Sequence, residues 1–281
     1  MRDVTTGDQR TRLSPLATAG TVLFIMLLAI TAASTYWPRV NELEIGISSL
    51  PPALDGTRIL HISDLHSRSP HNLTVDIPAA LGDRSFDLAC ITGDFIDNDL
   101  EQLPPALDLV RSLGRRAPVI TVLGNHDWPP GGRHVVAELE YAGAVHLENE
   151  SAVVGFDDFE FPVVGISDAY SGYDDVAAGF EDVEGEFALV LTHDPKIFGD
   201  IARSHPSVVL AGHTHGGQIR LPLLPTLYAP GAGFFPEYGE GVYREDGSVM
   251  YVSRGIGASG PLPFRFWNRP EITIITLRRG G

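Results

Sequence analysis

Ile59-Leu60-His61-Ile62-Ser63-Asp64-Leu65-His66 is an apolar run that ends in an acid and an imidazole two residues apart. A short apolar run bounded by turn residues reads as a buried strand, Arg58 to Ile62, and its C-terminal exit carries Asp64 and His66. The pattern repeats outward along the chain. A strand from Phe86 to Ile91 leads into Gly93-Asp94-Phe95-Ile96-Asp97, and one from Pro118 to Val122 into Gly124-Asn125-His126-Asp127. Phe187 to Leu191 leads to His193, and Ser207 to Leu210 to Gly212-His213-Thr214-His215. In open α/β sheets, sites form in the loops beyond the carboxyl ends of strands. Five strands thus deliver polar loops to one edge, and Gly93, Gly124 and Gly212 permit the sharp exits that this requires.

Between these strands lie helical candidates at Val75 to Leu81, Glu101 to Leu113, Arg133 to Tyr141 and Pro195 to Ser204. A second set of strands has short turns and no long helices: Ala144 to Leu147, Ser151 to Gly155, Phe161 to Ile166, Met250 to Ser253 and Ile272 to Leu277. Two sheets packed face to face, each covered by helices, use all the pieces in one α/β domain. The stretch after Pro38 that holds Glu42 and Glu44 reads as a short connector. The five loops offer carboxylate, imidazole and amide ligands for two adjacent divalent cations, which would clamp the attacking and leaving oxygens of a phosphoryl displacement. Mixed nitrogen and oxygen donors suit Mn, Fe, Co or Zn better than Ca.

The ordered set resembles the calcineurin-like metallophosphoesterase superfamily. Ile62-Ser63-Asp64-Leu65-His66, Ala211 through Gln218 and Tyr251-Val252-Ser253-Arg254-Gly255-Ile256-Gly257 resemble its membrane-anchored bacterial phosphodiesterase branch. The resemblance spans roughly residues 43–278. It implies a four-layer α/β/β/α sandwich and two divalent metal ions per chain, with Mn²⁺ as first choice and Zn²⁺, Fe²⁺ or Co²⁺ as alternatives. It implies that Asp64, His66 and His215 hold one ion and that Asn125, His193 and His213 hold the other, with Asp94 bridging. The implied chemistry is hydrolysis of a phosphoester by a hydroxide generated between the two ions. His126 is the candidate general acid, with Asp127 or Asp97 orienting it. Asp97 could equally cap a following turn, and Asp127 could serve its own loop. His61 is expected in the core, and His71, His134, His146 and His205 as surface or packing residues. Asp168 belongs to a loop near the site without being a ligand, and Gly216 and Gly217 shape a turn.

The net charge is −16, and the first 15 residues carry three Arg against two Asp, so the remaining chain is more acidic still. Such a surface repels long polyanions and argues against nucleic acid as a partner. The single cysteine, Cys90, excludes an intramolecular disulfide and is expected to be buried. No charge occurs between Arg12 and Arg39. Residues 16–37 therefore read as an uncleaved transmembrane signal anchor after a cytoplasmic tail at 1–15, with the catalytic domain at 40–281 on the extracytoplasmic side. The rival reading is a signal peptide cleaved near Ala32-Ala33-Ser34.

Leu221 to Phe235, Pro261 to Phe264 and Phe266-Trp267 are rich in Pro and apolar side chains. They are either proline-braced loops packed on the domain or an apolar lip that meets lipid. The leading function is a phosphodiesterase whose substrate could be lipid-linked. The alternatives are a pyrophosphatase for a nucleotide-linked lipid, like that acting on UDP-2,3-diacylglucosamine, and a non-catalytic scaffold. The scaffold reading is disfavoured because every ligand position is filled, and the predicted orientation disfavours the pyrophosphatase.

Overall fold

The computed structural model describes residues 14–67, 76–156, 159–185, 187–217, 219–220, 224, 226–229, 231–258 and 264–280. The N-terminal arginines, His71, Val75, Gln218, Leu221 to Leu223 and Pro261 to Pro263 lie outside the described residues.

Helix α1 (Pro15–Tyr36) starts where Ser14 accepts the Ala17 N–H at 3.2 Å and Pro15 takes a position whose N–H would be unpaired in any case. Thr18, Thr21, Thr31 and Thr35 return their hydroxyls to the carbonyl four residues back, so this apolar helix exposes no unpaired threonine donor. Its 22 residues are long and apolar enough to cross a membrane. Most of the helix is exposed, but Ser34 in the last turn is buried against the domain.

The first sheet contains β1 (Arg39–Ile47), β2 (Arg58–Ile62), β3 (Leu88–Thr92), β4 (Val119–Val122), β5 (Val145–His146) and β14 (Glu271–Arg279), in the order β1-β14-β2-β3-β4-β5. The second contains β6 (Glu150–Phe156), β7 (Phe159–Ile166), β8 (Ala188–Thr192), β9 (Ser207–Ala211), β12 (Gly241–Glu245) and β13 (Ser248–Val252), in the order β12-β13-β9-β8-β7-β6. β2 to β5 are mutually parallel, as are β7, β8, β9 and β13. β10 (Tyr228–Ala229) and β11 (Gly233–Phe234) make a separate antiparallel pair.

Three apolar cores define the layers. Leu60, Ala89 and Ile91 pack under α2 (Ile77–Leu81), α3 (Leu103–Gly114) and α4 (Gly132–Tyr141). Ile59, Cys90, Val122, Leu189 and Leu210 meet between the sheets. Val190, Val209 and Met250 pack under α5 (Val176–Gly179) and α6 (Phe198–Ser204). Successive residues of a strand face opposite sides, and here both sides are buried, so the central strands read as unbroken apolar runs. The result is the expected α/β/β/α sandwich.

One local expectation is corrected. The connector with Glu42 and Glu44 is the nine-residue strand β1, paired in parallel with β14 from Arg39↔Glu271 to Ile47↔Arg279. It lies at the edge of its sheet and mixes exposed acids with buried Ile45 and Ile47, so no continuous apolar run marks it. At the turn that follows Asp97, Asp99 accepts the Glu101 N–H at 3.0 Å.

Candidate metal centre

The loops leaving β2, β3, β4, β8 and β9 converge at one end of the sandwich. They are stitched together by their backbones: the Asp64 and His66 N–H groups donate to the Gly93 and Asp94 carbonyls, each at 3.0 Å. Asp64, His66, Asp94, His213 and His215 all have positive φ, between 41° and 68°, a region that non-glycine residues seldom occupy. Such strain persists only where the surroundings over-determine it, and it clusters at functional sites. At Gly212 a Cβ would collide with the Ser63 side chain and the Asp64 carboxylate, so only glycine lets these two loops meet.

Two constellations share one carboxylate. In the first, Nε2 of His66 lies 3.1 Å from Nε2 of His215 and 3.3 Å from Asp94 Oδ2, while His215 Nε2 lies 3.5 Å from Asp64 Oδ1. In the second, His193 Nε2 lies 3.3 Å from the same Asp94 Oδ2 and 3.2 Å from Asn125 Oδ1. His213 Nδ1 lies 2.9 Å from Asn125 Oδ1 and 3.2 Å from His193 Nε2. The other carboxylate oxygen of Asp94 accepts the His126 N–H at 2.9 Å. His193 Nδ1 lies 2.8 Å from the Thr92 carbonyl, which can only accept, so Nδ1 carries a proton and Nε2 is the nitrogen that faces the cluster and could bind a metal.

These residues fit divalent cations. All are buried except Asn125, which is partly exposed, and their donor atoms converge nitrogen to nitrogen and nitrogen to oxygen. Asp64, His66, Asp94 and His215 place ligand atoms within 4.8 Å of one another. Burial disfavours charge on His193 and His66, but Asp94 outweighs it and holds His193 well above the ordinary range and His66 up to about 9. Burial would raise the Asp94 pKa, but His193 and His66 hold it well below the carboxylate range. His215 is pushed well below its ordinary value by burial, with His66 and Arg265 adding to the effect.

His126 stands beside this cluster, partly exposed, with its ring 4.9 Å from that of His66. Its Nδ1 lies 3.0 Å from Asp97 Oδ1 and 2.7 Å from Asn98 Nδ2. Asp127, the immediate sequence neighbour of His126, faces elsewhere. Its two oxygens accept the Gly124 and Ile96 N–H groups at 2.9 and 3.2 Å, locking the loop. Burial, with Asp94 adding to it, raises its pKa to about 7. The carboxylate beside His126 is therefore that of Asp97.

His61 is in the core, with Nε2 2.9 Å from Thr92 Oγ1. Asp168 accepts the Tyr170 and Ser171 N–H groups and so closes its own turn. Three residues near the centre have no motif to announce them. Asn98 meets His126, and Asn268 donates Nδ2 to the His215 carbonyl at 2.6 Å. Arg265 is wholly buried: Nε donates to the Gly257 carbonyl and Nη2 to the Arg254 carbonyl, each at 2.8 Å, and Nη2 lies 3.3 Å from His215 Nδ1.

A family description, calcineurin-like phosphoesterase, matches residues 57–217, which hold all seven of the expected ligands. The chain belongs to the calcineurin-like phosphoesterase family. It is 28% identical over 258 residues to the uncharacterized metallophosphoesterase YkoQ of Bacillus subtilis, covering 90% of this chain and 95% of that protein. It is 31% identical over 247 residues to the uncharacterized metallophosphoesterase YkuE of the same organism, covering 85% of each. The phosphodiesterase YaeI of Escherichia coli is 33% identical over 227 residues, covering 78% of this chain and 82% of that protein. As a calcineurin-like phosphoesterase, the protein is a metal-dependent hydrolase of phosphoesters with an Asp/His centre suited to two metal ions.

Proposed function

We propose that this phosphoesterase is a phosphodiesterase in which Asp64, His66 and His215 hold one divalent ion, Asn125, His193 and His213 hold a second, and Asp94 bridges them. The observation that carries the reading is the position of Asp94 Oδ2, 3.3 Å from the facing nitrogens of both His66 and His193. The diester preference is supported by the likeness to the phosphodiesterase YaeI. When bound, the paired ions supply Lewis acidity to the phosphoryl oxygens and a nucleophilic oxygen at neutral pH. Mn²⁺ is the first choice, since the donor set mixes imidazole with carboxylate and amide oxygen.

The chain's own groups do the rest. Asn125 adds an oxygen donor without adding negative charge to a site that receives a phosphate anion. Asp97 Oδ1, 3.0 Å from His126 Nδ1, would hold the ring in one orientation and leave Nε2 to protonate the departing oxygen. Asp127 keeps the loop bearing Asn125 and His126 in place. We also propose that α1 is the membrane anchor at 16–37, with residues 1–15 cytoplasmic and the domain at 40–281 extracytoplasmic. The excess of arginine before the helix supports that orientation.

The test is hydrolysis of bis-p-nitrophenyl phosphate and p-nitrophenyl phosphate by metal-stripped protein resupplied with Mn²⁺, Zn²⁺, Fe²⁺ or Co²⁺. Cleavage of the diester that returns with metal, exceeds that of the monoester and is absent in Asp94→Asn is expected. Faster cleavage of the monoester would overturn the diester preference.

A further inference from the structure

The last turn of α1 is fastened to the catalytic centre. The Arg265 N–H donates to Thr35 Oγ1 at 3.1 Å, and the Arg265 side chain reaches His215. Arg269 donates Nε to the Trp37 carbonyl at 2.9 Å and Nη2 to that of Pro38 at 3.1 Å. The next residues pair β1 with β14. No flexible tether separates helix from domain. An α-helix of 22 residues is about 33 Å long, the thickness of a bilayer's hydrocarbon core, so spanning it uses the whole helix and sets Thr35 to Trp37 at the interface. Residues 264–267 are level with that turn, and the centre is one arginine side chain away.

Phe266 bridges to Ile219 and accepts the Arg220 N–H at 3.0 Å, so the two segments form one platform. The β10–β11 hairpin adjoins this platform through Gly217, which lies against the Tyr228 carbonyl and accepts Asn268 Nδ2 at 3.4 Å, with Gly231 seated against the His213 ring. It presents Phe234, 78% exposed, beside Phe235 at 70%, and Trp267 is 48% exposed on the platform. Phe235 and Trp267 both have positive φ, 51° and 55°, which bulky residues rarely adopt. Large exposed aromatic side chains next to a membrane helix match the chemistry of the bilayer interface, where aromatic rings are favoured.

We infer that the face bearing Phe234, Phe235 and Trp267 docks onto the bilayer that α1 enters, so that the centre acts on phosphoesters presented at the lipid surface. This rests on the reading of α1 as a membrane anchor, and the experiment separates the two. The chain has three tryptophans, Trp37, Trp128 and Trp267, and Trp128 packs on Tyr173 with ring centroids 4.7 Å apart. Full-length proteins retaining one tryptophan each, the others changed to Phe, are reconstituted into phosphatidylcholine vesicles with or without bromine on the acyl chains. Trp37 and Trp267 should each lose about half or more of their emission in brominated vesicles, and Trp128 almost none. Quenching of Trp37 without Trp267 overturns the docking and leaves the anchor standing. Quenching of neither removes the anchor and the docking with it.

A second measurement does not depend on the tryptophan variants folding. Cys90 is buried, so Phe234→Cys offers one reactive thiol for an environment-sensitive fluorophore. Its emission should shift to the blue in vesicles, and an emission maximum unchanged from detergent-free buffer in 1 M salt would overturn the docking. For the substrate class, Phe234→Ser combined with Phe235→Ser should lower kcat/KM on phosphatidyl-p-nitrophenol embedded in the vesicles about 10-fold while sparing bis-p-nitrophenyl phosphate. No turnover of the embedded diester, or turnover that the double variant leaves unchanged, overturns that assignment.

Discussion

Removing the proposed proton donor should hurt most where the leaving group needs a proton most. His126 is the group to remove, and its setting fixes the size of the effect. The ring is partly exposed beside the metal centre, and its Nδ1 lies 3.0 Å from Asp97 Oδ1. A positioned general acid contributes roughly 10²–10⁴-fold, so His126→Ala should cost an alkyl ester about that much. A nitrophenolate leaves as a stable anion and should lose about 10-fold or less, since little proton transfer is required. The Asp97 contact is a charge-assisted hydrogen bond when the ring is protonated, worth about 1.5–3 kcal/mol, or about 10–150-fold in rate. Asp97→Asn should therefore fall between wild type and His126→Ala on the alkyl ester, and the two substitutions together should cost no more than His126→Ala alone. The assay is kcat/KM for methyl p-nitrophenyl phosphate and for a dialkyl phosphate, with metal saturating. Equal losses on both substrates would refute the general-acid role, and additive losses would refute the coupling of Asp97 to His126.

Two further outcomes follow from the packing. His61 is fully buried and its pKa is lowered to about 3 by desolvation, so in the folded protein it stays neutral where the unfolded chain takes up a proton near 6.5. Stability from this residue is full above pH 6.5 and is lost as pH falls toward 3, amounting to about 2 kcal/mol between pH 7 and pH 5. Urea unfolding of metal-free full-length protein at both pH values should show His61→Gln losing about 2 kcal/mol less than wild type; equal losses would contradict the assignment. Gly212→Ala drives a methyl into Ser63 and the Asp64 carboxylate, so it should cost about 1–3 kcal/mol and weaken metal binding about 10-fold or more. An alanine variant with wild-type metal affinity would show that the two loops separate freely.

The strands that carry the site were legible because they are buried on both faces. β2, β3, β8 and β9 appear as short apolar runs, each followed at once by its acid or histidine. β1 was not, because its outer positions carry Arg39 and two glutamates, and its pairing with β14 joins residues more than 200 positions apart. The β10–β11 pair has two residues per strand, too few for any alternation to show. Adjacency favoured Asp127 over Asp97 as the partner of His126. The chain turn at Gly124 draws Asp127 back onto backbone N–H groups, and the neighbouring loop supplies Asp97. Arg265 had no local signal. A buried guanidinium depends on carbonyls at Arg254 and Gly257 that only the folded loop brings to it.

Asp94 is the hinge of the account, and metal content measures its role most directly. Full-length protein saturated with Mn²⁺, freed of loose ions and analysed by mass spectrometry for metal per chain, should hold two ions. Asp94→Asn should hold one or fewer and lose turnover of bis-p-nitrophenyl phosphate. A wild-type protein that is fully active with a single ion, or an Asp94→Asn protein that keeps two ions and full turnover, would contradict the bridged two-ion centre.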